Sequence, residues 1–507
     1  MSTNRRCLAL LIFAAGCGEH SSSGAGARPG IKPADAKPVA ALSYWSGALP
    51  GDVAKYPAPA PVATVTRSTD IPRLVLSPRG DKPVGTARNK AVEIEVLANG
   101  VQPRIFGSRA KDGATFVVLD TRWTNVHPKQ RMDKASSEGK ADRTMGVGSF
   151  AGGRVAGVKA DSVDVDVAYQ VPRLADHTYL VADGMATSLH LVTEEIPGGA
   201  KIGTAFTVAK LGETREARLA FVAPAAAKDV ALQFLDYKYG HVLVPIRGDA
   251  KRAAGDGTPP GKVLDKAQTI KLNIAAHSLV FAPDFGGAVA PQGWRYAIVG
   301  LGGRSRSVTN NIGDIVQIDP AKYIWLEGDG GYVYPAAGGS TTTQGVLRFT
   351  PAIYQTQDVA FLVPSAAESF RLGVRAEKEV VRLAVTGRKP GGIPSAKETH
   401  KDGNTMEVLL LGSRQDGQHL VLDLAIKPLE TKGQGIEISP DEQFKLITAA
   451  GEIRPDMAAT WARMNRPPQP FVVQPATPVR FELAFPGGAP PTALKVRGFE
   501  SEGRIKF

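Results

Sequence analysis

The sequence predicts an all-β protein of three tandem β-sandwich domains behind a signal peptide and a Pro-rich spacer. Runs rich in Val, Leu, Phe and Tyr alternate with clusters of Gly, Pro, Asp and Asn, the punctuation of short strands and turns. Sustained 3.6-residue periodicity is missing. One strand pattern recurs three times along 507 residues, a length that can hold several cores.

At the N-terminus, Arg5 and Arg6 precede an apolar run from Cys7 to Ala15, the plan of a secretory signal over residues 1–16. The run is too short to cross a bilayer. Ala14-Ala15-Gly16-Cys17 resembles the lipobox of bacterial lipoproteins, with Ala14 where that family usually has Leu. The resemblance implies that the Cys17 thiol is lipidated and becomes the new N-terminus. Gly18 after it, rather than Asp, implies the outer membrane if the host is diderm. Two or more acyl chains anchor stably where one is marginal. Cleavage would remove Arg5, Arg6 and no acid, lowering the formal charge from +12 to +10. It would also remove Cys7, leaving no thiol for a disulfide or a metal, so burial must hold the fold.

Residues 17–87 read as a spacer, with Ser21-Ser22-Ser23-Gly24 at the front and Pro57, Pro59 and Pro61 in the middle. Such segments extend by about 3.1 Å per residue. Leu74-Val75-Leu76 is a short apolar piece with strand character within it.

The three domains are placed at 88–248, 262–387 and 398–507. Each opens with an alternating strand: Val92-Glu93-Ile94-Glu95-Val96, Ile270-Lys271-Leu272-Asn273-Ile274 and Met406-Glu407-Val408-Leu409-Leu410. A period of two puts the apolar set on one face, as a half-buried antiparallel sheet requires. A longer strand follows through Val117-Val118-Leu119-Asp120, Ala297-Ile298-Val299-Gly300 and Leu420-Val421-Leu422-Asp423. Next comes an aromatic strand at Tyr179, Tyr323 and Phe444, and then a strand ending at Pro224, Pro364 and Pro486. Aromatic-to-proline separations of 45, 41 and 42 residues make the recurrence specific. The connecting stretches 248–261 and 387–403, rich in Gly and Pro, read as linkers that permit hinge motion.

On this pattern each copy resembles the telokin-like, immunoglobulin-fold family of secreted bacterial antigens and lipoproteins. The resemblance implies an immunoglobulin-like sandwich for each domain. The Asn that this family carries after its first long strand is matched by Asn125, whereas Ser305 and Pro428 stand nearby in the other copies.

Candidate chemistry is sparse. From Leu119 to Tyr179 is 60 residues, against 24 and 22 in the later copies, so the first domain carries an insertion at about 126–160. It holds seven cations against three acids, and long insertions on rigid scaffolds are frequent binding elements. Asp161, Asp164 and Asp166 lack the loop spacing of a calcium site and read as a polar strand edge. Glu327-Gly328-Asp329-Gly330-Gly331 and Gly300-Leu301-Gly302-Gly303-Arg304 read as sheet turns. His127, His177, His190, His241, His277, His400 and His419 are scattered without zinc-helix spacing, and no G-x-S-x-G is present.

The expectation is therefore a non-catalytic, lipid-anchored extracytoplasmic binding or scaffold protein of the bacterial envelope. No catalytic residue, metal or cofactor is assigned, and Cys17 is the lipid attachment site. The partners expected are the membrane, through the anchor, and another envelope protein or polymer. Nucleic acid is not expected, because the positive charge is diffuse and lacks interleaved aromatics. The alternatives are a secreted hydrolase with a site assembled across strands near the insertion, or a carbohydrate-binding protein. The latter would need Trp123, Trp325 and Trp461 exposed, and these read as core or edge residues.

Overall fold

The computed structural model describes residues 66–67, 74–133, 162–253, 259, 261–307, 314–337, 346–429, 435–464, 470–488 and 490–507. The signal segment 1–16, Cys17, most of the spacer and the central part of the insertion, 134–161, lie outside the described residues. The described residues all fall in one compact unit.

Ten strands recur in each repeat; in the first they are β1 (Gly85–Arg88), β2 (Val92–Gln102), β3 (Ala114–Asn125), β4 (Tyr169–Val171), β5 (Thr178–Ala182), β6 (Met185–Ser188), β7 (Phe206–Val208), β8 (Thr214–Pro224), β9 (Val230–Phe234) and β10 (Val242–Arg247). The second comprises β11 (Asp265–Gln268), β12 (Leu272–Ala282), β13 (Trp294–Ser305), β14 (Val316–Ile318), β15 (Ile324–Gly328), β16 (Val333–Pro335), β17 (Leu347–Phe349), β18 (Gln355–Pro364), β19 (Phe370–Ala376) and β20 (Glu379–Ala384). The third comprises β21 (Glu398–Asp402), β22 (Met406–Asp416), β23 (His419–Pro428), β24 (Ile436–Ile438), β25 (Phe444–Thr448), β26 (Gly451–Ile453), β27 (Phe471–Val473), β28 (Val479–Pro486), β29 (Pro491–Arg497) and β30 (Glu502–Lys506).

Strand order repeats with the numbering. One sheet runs β8-β3-β2-β1, then β18-β13-β12-β11, then β28-β23-β22-β21. The facing sheet runs β10-β9-β5-β6, β20-β19-β15-β16 and β30-β29-β25-β26, and each repeat has a separate small pair, β4-β7, β14-β17 and β24-β27. Even the irregularities recur. The second strand of each repeat carries one extra residue, Leu97, His277 or Leu411, opposite the same point of the third strand. Such a bulge increases local twist and lets a sheet curl over its core.

The alternation read from sequence fills three cores. In the first, Trp123 is fully buried, with ring centroids 5.2 Å from Phe206 and 5.1 Å from Phe234. Phe349, Phe361 and Phe370 centre the second, and Phe444, Phe481 and Phe485 the third. Each such side chain contributes about 1.5–3 kcal/mol of burial. Asn125 is buried too. Its amide donates to the carbonyls of Val167 (2.8 Å) and Val208 (3.2 Å), and its Oδ1 accepts from His127 N (2.9 Å). Ser305 does part of that work in the second repeat, donating to Asp314 O at 2.8 Å.

The repeats are stitched together more firmly than linkers would allow. Ala186 and Thr187 of β6 pair in parallel with Gln355 and Thr356 of β18, so two four-stranded sheets become one eight-stranded sheet. Tyr332, just before β16, makes the corresponding parallel bridge to Arg480 of β28. Hinge motion at residues 387–403 is not the arrangement found: Ile393 and Ala396 pack on Leu411 and Ala425, and Gly391 N donates to Asp329 at 2.6 Å.

Three sequence expectations need correction. Gly300 to Arg304 is not a turn but the interior of β13. Neighbouring groups crowd it, and a Cβ on Gly302 would lie 2.3 Å from Tyr354 Oη and 2.5 Å from His277 Nε2. Tyr323 is not in the aromatic strand but closes the one-turn helix Pro320–Tyr323, capped by the Asp319 carboxylate, and the strand begins at Ile324. Finally, the folded body begins within the segment read as spacer. Leu74 and Leu76 pack on a satellite core with Phe116 and Val118, while Thr66 and Arg67 pair with Val289 and Ala288.

Candidate functional site

The junction of the first two repeats contains a cavity of about 170 Å³. Its walls come from β6, the end of β8, the turn before β3, and strands β12 and β18. Met185, Val222 and Val280 supply apolar surface. Lys111 reaches across the junction to Asp358 at 2.5 Å and to Ser278 Oγ at 3.4 Å. Gly300 of β13 is part of this geometry, since a Cβ there would lie 2.6 Å from Ser278 Oγ and 3.1 Å from Lys111 Nζ. The glycine lets a lysine from one repeat dock on the sheet of the next.

On the other side stands His190, whose Nδ1 accepts from Val192 N at 3.1 Å. That bond leaves the hydrogen of the neutral ring on Nε2. Burial pushes its pKa down to about 4, so the ring is neutral near pH 7. The cavity offers hydrogen-bond donors and an ion pair in an apolar frame, a composition suited to a small ligand. It offers no nucleophile with a base, because the Lys111 ammonium donates towards Ser278 rather than accepting its proton.

The other histidines are dispersed. His177 Nδ1 meets Leu235 O at 2.6 Å, His277 Nε2 meets Tyr354 Oη at 2.8 Å, and His419 Nε2 meets Asp456 at 2.9 Å. Burial lowers the pKa of His177, His241 and His277. Among the described residues no three His, Cys, Asp or Glu side chains converge as a metal site would require.

Beside the insertion, whose base is the ribbon pairing Gln130–Asp133 with Ser162–Val165, a polar cluster does assemble. His127 Nε2 lies 2.8 Å from Tyr239 Oη, and Tyr169 Oη donates to Asp236 at 2.8 Å. Asn89 also donates to Asp236 at 2.9 Å. Burial raises the Tyr169 pKa strongly, keeping the phenol protonated as a donor. Each group is spent on another, so the cluster ties β4 to the turn before β10.

Of the other candidates, Asp164 and Asp166 sit at the ribbon, Asp166 being 3.8 Å from Lys129, and Asp161 lies outside the described residues. Of the stretch read as a turn, Glu327 and Gly328 end β15, and Asp329 to Gly331 form the turn to β16, with Gly330 and Gly331 at φ of 73° and 82°. Trp123, Trp325 and Trp461 are all buried, so they form no exposed platform.

Sequence reasoning missed a set of buried ion pairs. Arg480, whose side chain is 0% exposed, holds Asp423 with 2.5 and 2.8 Å bonds, and its guanidinium lies 4.5 Å from the Tyr332 ring. Arg371 and Arg382 grip the buried Glu327. Arg348 grips Asp176 across the first junction, with a 2.9 Å bond from Nη2 to Oδ2. The signal available was an acid at Asp120 and Asp423, at the same point of the third strand in two copies.

No protein family, curated protein or solved structure matches this chain.

Proposed function

We propose that this chain is a lipid-anchored, extracytoplasmic binding or scaffold protein of the bacterial cell envelope, made of three telokin-like, immunoglobulin-fold domains and without catalytic activity of its own. The observation that carries the scaffold role is the reuse of one junction. The sixth strand of the first repeat meets the eighth strand of the second in parallel at Ala186–Gln355, and the residue just before the sixth strand of the second repeat bridges in parallel to the eighth strand of the third at Tyr332–Arg480. Arg348, Lys111 and Arg382 each reach from one repeat into another.

The anchor rests on Arg5, Arg6, the apolar run to Ala15, and Cys17. Its test is fractionation of cells expressing Cys17→Ser. The variant is expected in the soluble extracytoplasmic fraction, and retention of the variant in membranes at the parent level overturns the anchor. Among the described residues no helix is long and apolar enough to cross a membrane.

A further inference from the structure

We infer that the outer face of the sheet β30-β29-β25-β26 is a docking surface for a polyanionic glycan chain. This deepens the binding role proposed above by naming a class of partner.

Register places Lys445 directly opposite Lys495, and Lys495 directly opposite Arg504. Arg454, one residue beyond β26, continues the row on the far side of Lys445. Three cations thus lie side by side across three strands, with Arg454 just past the end of the fourth. Like charges directly opposite one another in a sheet are destabilising, so such a row needs compensation.

Compensation from the chain is partial. Glu452 bonds Lys445 at 2.9 Å and Lys495 at 3.0 Å, and Glu502 bonds Lys495 at 2.9 Å. These two lysines hold the Glu452 carboxyl down at about 2. Arg454 and Arg504, at the two ends of the row, are exposed, and their side chains have no hydrogen-bond or ion-pair partner among the described residues; the same holds for the side chain of Arg497. A depression of about 520 Å³ runs over this face, lined by the cations Lys445, Arg454, Lys495 and Arg497 and by the carboxylates of Asp441, Glu442 and Glu502.

The same face is an interface in the other two repeats. The row equivalent to Arg454, Lys445, Lys495 and Arg504 is Ser188, Tyr179, Gln233 and Leu243 in the first repeat. There Tyr179 packs with Ile353 of the second repeat. In the second it is Pro335, Trp325, Gly373 and Arg382, and Arg382 donates to Ala476 O and Thr477 of the third. A face that twice receives a protein neighbour carries this row of cations in its third instance, with Arg454 and Arg504 exposed and Lys445 and Lys495 half-buried. An extended polymer with repeated phosphate, sulfate or carboxylate groups matches a row of charges one strand spacing apart, roughly 4.8 Å.

The test uses the full chain in nonionic detergent, with dextran sulfate as probe and uncharged dextran of equal length as control, read by titration calorimetry. Dextran sulfate is expected to bind and uncharged dextran not to bind. Arg454→Gln/Arg504→Gln is expected to weaken binding by about fivefold to thirtyfold, as loss of two exposed charge contacts implies. Arg454→Lys/Arg504→Lys should restore most of it. Lys210→Gln/Lys228→Gln, which removes the same charge from the first repeat, should change affinity by less than about twofold. Equal affinity of the arginine variant and the parent, or equal loss in both charge-removing variants, overturns the inference. Membrane release by Cys17→Ser is read separately, so failure of the anchor and failure of this surface are distinguishable.

Discussion

The buried pair Asp423–Arg480 allows a sharp test of what holds the second junction. Arg480 is wholly buried and Asp423 nearly so, and the arginine also lies over Tyr332 of the preceding repeat. Removing one member leaves the other as an uncompensated charge away from water, at a cost of about 3–5 kcal/mol. Removing both with side chains that fill the space takes away the attraction and the desolvation penalty together. Arg480→Met and Asp423→Leu should therefore each destabilise by about 3–5 kcal/mol, while the double variant stays within about 2 kcal/mol of the parent. The neighbouring Glu482 keeps Arg414 in all three, so no second charge is orphaned. Equilibrium urea unfolding gives the free energies, and amide hydrogen exchange over residues 419–428 and 479–486 locates the loss. A double variant as unstable as the sum of the singles, or singles that cost under about 1 kcal/mol, would refute the account.

Two further outcomes follow from the first junction. His190 has a folded pKa near 4 against an ordinary 6.5, so the unfolded chain takes up the proton first; stability should be full above pH 6.5, fall as pH drops towards 4 and level off below it, by up to about 3 kcal/mol for this residue. His190→Gln should flatten that part of the pH–stability curve, and an unchanged slope between pH 6.5 and 4 argues against the burial described. Gly302→Ala should cost about 1–3 kcal/mol in thermal unfolding, because Tyr354 and His277 must move to admit a methyl group; a stabilised variant would show the space to be open.

The strands were legible because alternation is a one-dimensional signal of a two-faced sheet. Val92 to Val96 and Leu420 to Leu424 declare their inner face residue by residue. The glycines of β13 were not legible. Gly, read locally, signals a turn, whereas here it makes room for Tyr354, His277 and Lys111, which are remote in sequence. The union of β6 with β18 also left no trace, since parallel pairing is made by backbone groups and Ala186, Thr187, Gln355 and Thr356 have no distinguishing chemistry. The sequence also carries a local signal for the strand that precedes each aromatic strand. Val171-Pro172, Ile318-Asp319-Pro320 and Ile438-Ser439-Pro440 mark the same strand end in each repeat, with Pro opening a one-turn helix at the latter two. It would have moved Tyr323 out of the strand. The cavity at Lys111 and His190 was invisible for the reason the ion pairs were: it forms where separate copies meet.

Because each copy is finished by its neighbour, these units are poor currency for gene-level shuffling. Excising the middle one would leave the ring of Tyr179 and the side chain of Leu235 facing a successor that bears Arg480 and Glu482 where Thr356 and Asp358 had stood. Duplication can have started such a chain, but once the joints diverged, the order of its parts became part of its heredity.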